Sequence, residues 1–88
     1  MRFGSFKDNY EEAEGLLSMK PMTKAQMDKL GIEHPYIERN QALWDFTSDA
    51  LISAVCAACA AQTSGEKDKA SILVTKCRRR LLDISRKL

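Results

Sequence analysis

The stretch KCRRRLLDISRKL at positions 76–88 carries the densest charge in the chain. Lys76, Arg78, Arg79, Arg80, Arg86 and Lys87 are opposed there by Asp83 alone. Guanidinium groups fork bidentately onto phosphate, so a cluster of this kind can seat a phosphate-bearing ligand. Cations in a last helical turn also offset the macrodipole, by about 0.3–1 kcal/mol each. That accounts for Arg86 and Lys87 but not for Arg78-Arg79-Arg80, which stand about two turns earlier. Two readings stand level: a phosphate seat, or solvation combined with ion pairs between subunits.

His34-Pro35-Tyr36 with Arg39 is the second suggestive place. An aromatic at a loop-to-helix junction, with an arginine one turn on, can stack a nucleobase and hold a phosphate. The competing reading, slightly favoured, makes Tyr36 a hydrophobic lid over a helical hairpin. Cys56-Ala-Ala-Cys59 has the spacing of a zinc or redox pair. Zinc needs about four ligands, however, and only Cys77 and His34 remain to complete the set. A redox pair belongs at a strand-to-helix junction, whereas this one lies in an alanine-rich helix, so packing of small cysteines is preferred.

Asp45 and Asp49 sit one turn apart and can hold a divalent ion, although a solvated or salt-bridged face is the stronger reading. His34 has Glu33 beside it and no evident nucleophile. Phosphate-loop, dinucleotide and zinc-protease motifs are missing, so neither an enzyme nor a cofactor is expected.

The elements that must position these residues are helical. Apolar residues recur at helical spacing nearly throughout, and no segment alternates like a half-buried strand. Residues 8–18 form a short helix with Tyr10, Ala13, Leu16 and Leu17 on one side, weakened by Gly15. Thr23 and Gln26 have capping-box spacing for a second short helix, which Gly31 stops and Pro35 bars from continuing. A long helix follows from about Tyr36 to Gln62, with Ile37, Trp44, Leu51, Val55 and Ala58 as its expected core stripe. Beyond Asp49 its other faces are also small or apolar, which one hairpin partner cannot cover; self-association is therefore expected.

Ser64-Gly65 breaks the run, Thr63 and Glu66 offer another capping box, and the last helix extends to about Lys87. Its core stripe is Ala70, Leu73, Val74, Cys77, Leu81, Ile84 and Leu88. Lys69, Lys76, Arg80 and Lys87 edge that stripe, while Arg79, Arg86, Ile72 and Leu82 face outward. The expected architecture is a single all-α domain over 1–88: two short N-terminal helices in 1–35, then a long antiparallel αα-hairpin in 36–88, assembling as a homo-oligomer.

Eighty-eight residues bury only about 60–65% of their unfolded surface, so a lone copy is marginal. No run reaches the roughly 18 apolar residues of a membrane span, and the N-terminus has acids where a signal peptide needs an apolar centre. With three cysteines in odd number, this suggests a whole cytoplasmic protein with free thiols. The net charge of +2 is low for a dedicated binder of duplex DNA.

Ser71-Ile72-Leu73-Val74-Thr75-Lys76, after a turn holding Ser64-Gly65-Glu66-Lys67, is similar to the Ser-Leu-Ala-Leu-Thr-Lys segment of small phage helical-hairpin proteins. His34-Pro35, Arg39 and Ala42-Leu43 resemble the same family's first long helix and its approach. These are the anti-CBASS sponges, which sequester the cyclic oligonucleotides that signal infection in bacterial immunity. The likeness covers residues 34 to 80. The chain departs from the pattern at Glu66-Lys67-Asp68-Lys69, at Cys77-Arg78-Arg79-Arg80, where the charge changes sign, and at His34-Pro35-Tyr36, where the order of aromatic and histidine differs.

The resemblance implies a cytoplasmic homo-oligomer, a hexamer in the family pattern, holding cyclic di- or trinucleotides between subunits and breaking no bond; for a phage product the compartment is the host cytoplasm. The ligand contacts expected on this view are Tyr36 and Arg39 from one subunit with Thr75, Lys76, Arg79 and Arg80 from another. The alternative is a small protein-interaction module, an inhibitor or adaptor docking its basic C-terminal helix on an acidic partner.

Overall fold

The computed structural model describes residues 4–87, so Leu88, expected to end the last core stripe, lies outside the described residues. The fold is all-α. Its helices are α1 (Phe6–Ser18), α2 (Lys24–Lys29), α3 (Pro35–Ala60) and α4 (Ser64–Ser85).

Local chemistry accounts for where the helices begin and for where α2 ends. The Ser5 hydroxyl accepts from the Asp8 N–H at 3.2 Å and opens α1. Thr23 and Gln26 cap α2 reciprocally: Thr23 Oγ1 accepts from the Gln26 N–H at 3.2 Å and Gln26 Oε1 from the Thr23 N–H at 2.9 Å. Gly31 takes φ 73°, which lets the Ile32 N–H turn back onto the Met27 carbonyl at 3.1 Å and close that helix. Pro35 occupies the first turn of α3, where its missing N–H costs nothing. A second reciprocal cap, between Thr63 and Glu66, opens α4.

α3 is the central element. Both α1 and α4 lie along it, while touching each other little, and α2 rests on α3 alone. The end of α1 lies beside Arg80 and the beginning of α3, so α1 and α4 both run counter to α3. The first helix is thus a full layer of the fold rather than an appendage to the two long helices.

The buried cluster joins Ala13 of α1, Ala50 and Ala54 of α3, and Leu73 and Cys77 of α4, with Tyr10, Leu16, Leu17, Leu51 and Val74 packed around it. The expected core stripe of α3 is therefore displaced. Ile37 is 56% exposed and Val55 45%, whereas Asn40, Thr47, Ala50, Ser53, Ala54 and Ala57 are buried. Two helices approach α3 closely, and close approach selects small side chains over branched ones. Of the polar members of that face, Thr47 Oγ1 donates to the Leu43 carbonyl at 2.7 Å, whereas the buried Asn40 Nδ2 has no hydrogen-bond partner among the described residues. On α4, by contrast, Ala70, Leu73, Cys77 and Ile84 are buried as expected.

The molecule measures 48 × 23 × 19 Å with a radius of gyration of 15.0 Å, against about 12 Å for a compact domain of this length. α3 also corrects the expectation about membrane spans. Over an 18-residue window its mean hydropathy reaches 1.3, long and apolar enough to cross a membrane by length and composition, and only 28% of that window is buried. Counting apolar runs misses it because Asp45 and Asp49, with Thr47 and Ser48 between them, break the run, while the leucine, isoleucine, valine and alanine residues around them keep the mean hydropathy high.

Candidate ligand-binding groove

A groove of about 930 Å³ opens where the α1–α2 link crosses the beginning of α3. Met19, Pro21, Met22 and Met27 form one wall, and Pro35, Tyr36 and Leu43 form the other. Among the described residues Lys20, Lys24, Arg39 and Arg80 add four cations, and no acidic side chain lines it. Tyr36, Arg39 and Leu43 fall on successive turns of one face of α3, which is why a single helix can present an aromatic, a guanidinium and an apolar floor together. The beginning of α3 adds its positive dipole end, and His34 supplies no side-chain cap there.

Arg80 is the best-fixed of the four cations. Its Nη1 donates to the Leu17 carbonyl at 2.7 Å across 63 residues of chain. Leu17 lies in the last turn of α1, where carbonyls have no partner within the helix, so the arginine closes α1 and takes a defined orientation at once. A guanidinium carries five N–H donors, and this bond engages one of them. Lys20, Lys24 and Arg39 are exposed.

Of the six expected ligand residues, the structure brings Tyr36, Arg39 and Arg80 together in this groove and places Thr75, Lys76 and Arg79 outside it. Those three are exposed on α4, with the Thr75 hydroxyl donating to the Ser71 carbonyl at 3.0 Å. Arg80 differs because, besides bordering the core stripe as Lys76 does, it reaches α1 at the Leu17 carbonyl. The methionine and lysine residues of Met19-Lys20-Pro21-Met22-Thr23-Lys24 escaped the sequence reading. Their signal was visible, since alternating cations and apolar residues around a proline describe a basic, apolar-floored loop.

The cysteines divide three ways: Cys77 is buried, Cys56 half-buried and Cys59 exposed. Packing thus accounts for Cys77 but not for Cys59, which borders a smaller cleft at the other end of α3. Burial pushes the Cys77 thiol above its ordinary value, outweighing the opposing pull of Arg80 and Lys76, so it is a poor nucleophile at neutral pH. Among the described residues no three of His, Cys, Asp or Glu gather closely enough to hold a metal ion. Asp45 instead accepts from Gln41 Nε2 at 3.3 Å.

Comparison with protein families, with curated protein sequences and with solved structures finds no match to this chain. The groove's own chemistry therefore carries the functional argument. Four cations and no acid favour an anion, while methionines, prolines and a 60% exposed tyrosine favour a planar or apolar body attached to it.

Proposed function

We propose that this chain is a non-enzymatic binding protein that sequesters a cyclic di- or trinucleotide, and that by removing such a messenger it blocks CBASS-type antiviral signalling in the host cytoplasm. The observation that carries this reading is the convergence of Tyr36, Arg39 and Arg80 with Lys20 and Lys24 on one groove. A base stacks on the Tyr36 ring between the methionine side chains, and the adjoining phosphates meet the guanidinium and ammonium groups. The resemblance along residues 34 to 80 supplies the cyclic ligand and its immune role. Ile52, Val55, Ile72 and Leu82 are large, apolar and 45–68% exposed, which supports self-association of the helical layers into a closed oligomer.

The test is a thermal-shift series with a panel of cyclic oligonucleotides at micromolar concentration, followed by chromatography of the ligand released on denaturation. At least one member raises the melting temperature and is recovered intact. Arg39→Glu weakens that ligand by at least about 100-fold, because an attraction becomes a repulsion at a phosphate, while circular dichroism stays unchanged. A panel that leaves the melting temperature untouched, or a ligand returned as cleaved product, overturns the reading. The exposed Lys76 and Arg79 outside the groove favour the second reading, a basic helix docked on an acidic protein partner, and that partner would be retained by both parent and Arg39→Glu proteins.

A further inference from the structure

The outward faces of α3 and α4 carry matching heptad stripes of opposite chemistry. Glu38, Asp45 and Ile52 succeed one another at seven-residue steps on α3, and Ile72 and Arg79 on α4 are followed at the same step by Arg86, the residue that caps its end. All six are exposed. Each stripe covers fourteen residue steps, roughly 21 Å at the α-helical rise. A seven-residue step keeps side chains in line along one helix face, the geometry by which paired helices meet.

We infer that these stripes are the two halves of a head-to-tail interface in which α3 of one copy docks antiparallel on α4 of a second copy of this chain. In that register Glu38 meets Arg86, Asp45 meets Arg79 and Ile52 meets Ile72. The opposite direction would set Glu38 against Ile72 and Ile52 against Arg86, leaving acids and arginines facing apolar residues, so charge complementarity selects one orientation. Present contacts leave the stripes available. Asp45 holds a 3.3 Å hydrogen bond from Gln41 on its own helix, and Arg86 makes a 4.0 Å ion pair with Asp83, both at the surface.

The two stripes lie on different helices and away from the shared core, so each copy offers a donor face and an acceptor face, and repetition gives a ring or an open chain. The inference rests on the self-association part of the function proposed above and is independent of its ligand. It gives Arg79 a partner in another copy of the chain and leaves the groove to Arg39 and Arg80.

Sedimentation velocity on the full chain at low ionic strength tests it. Asp45→Arg and Arg79→Glu each raise the dissociation constant of assembly by roughly ten-fold or more, since each turns an opposed pair into a like-charged one. Combining both changes in one chain restores assembly, and an equimolar mixture of the two single variants co-assembles, because each then presents the charge that the other lacks. Circular dichroism of every variant matches the parent, as both positions are surface positions. A parent chain that stays at 9.9 kDa at all concentrations overturns the inference. So do single reversals without effect on mass, and so does failure of both rescues. Sedimentation with lipid vesicles by a chain that remains a single copy in solution also overturns it, because α3 would then be covered by lipid. Nucleotide binding is read separately, so loss of one claim leaves the other standing.

Discussion

At the level of single residues, Arg80 and Arg39 share a groove and differ in what else they hold. Arg80 ties α4 to the last turn of α1 through the Leu17 carbonyl, whereas Arg39 is an exposed groove side chain. Arg80→Ala therefore removes a charge-assisted hydrogen bond and exposes a helix end. The expected loss is about 1–2 kcal/mol of stability, at the lower part of the range for such bonds because the side chain is only half-buried. Arg39→Ala changes stability by no more than about 0.5 kcal/mol, as surface substitutions generally do, yet weakens anion uptake. Urea unfolding and ligand titration on the same two variants separate these effects. Equal destabilisation by both would show that the Leu17 contact contributes nothing. The same comparison explains why Arg79, one position earlier on α4, has no place in the groove: a step of about 100° turns it from the core edge to the outer face.

At the level of elements, helix positions were legible and the buried face of α3 was not. Thr23 with Gln26, Gly31, Pro35, and Thr63 with Glu66 each specify a boundary through a local hydrogen bond or backbone angle, and the sequence states such rules directly. The stripe of α4 was equally plain, because charged residues dominate its other faces, with Ile72 and Leu82 as exceptions. α3 lacks that contrast, and an apolar residue on every side leaves the direction of burial to its neighbours. The neighbours chose the alanines, and the branched residues Ile37, Ile52 and Val55 were left outside. The three-residue convergence in the groove was half legible for a related reason: Tyr36 and Arg39 share a helix, but Arg80 joins them only through tertiary packing.

Close approach at the alanines has a measurable consequence. Ala54 is fully buried among Ala13, Ala50, Leu73 and Cys77, so a larger side chain there must push α1 or α4 outward. Ala54→Leu is expected to destabilise the fold by about 1–3 kcal/mol despite raising helix-face hydrophobicity. Val55→Ala, one residue along on the exposed face, leaves single-copy stability nearly unchanged. Paired urea titrations at low protein concentration decide this, and a stable Ala54→Leu variant would mean that the helices are not in close contact there.

At the level of the whole molecule, an elongated body with large apolar residues on two outer helix faces is short of burial as a single copy. If the copies assemble through those faces, folding and association are linked, and stability must depend on protein concentration. The size of the dependence reports the assembly. For an n-mer that unfolds to single chains, a ten-fold rise in concentration adds (n − 1)/n of about 1.4 kcal/mol per protomer, so about 0.7 kcal/mol for a dimer and close to 1.4 kcal/mol for a large ring. On a domain of this length those gains correspond to melting-temperature shifts of about 3–11 °C. Raising salt reduces the effect, since two of the three opposed pairs along α3 and α4 are ionic and lie at the surface. Melting curves recorded over two decades of concentration, at low and at high salt, therefore test association without any ligand. Superimposable curves at every concentration would mean that α1, α3 and α4 suffice alone, and that the apolar outer faces serve something other than a second copy of the chain.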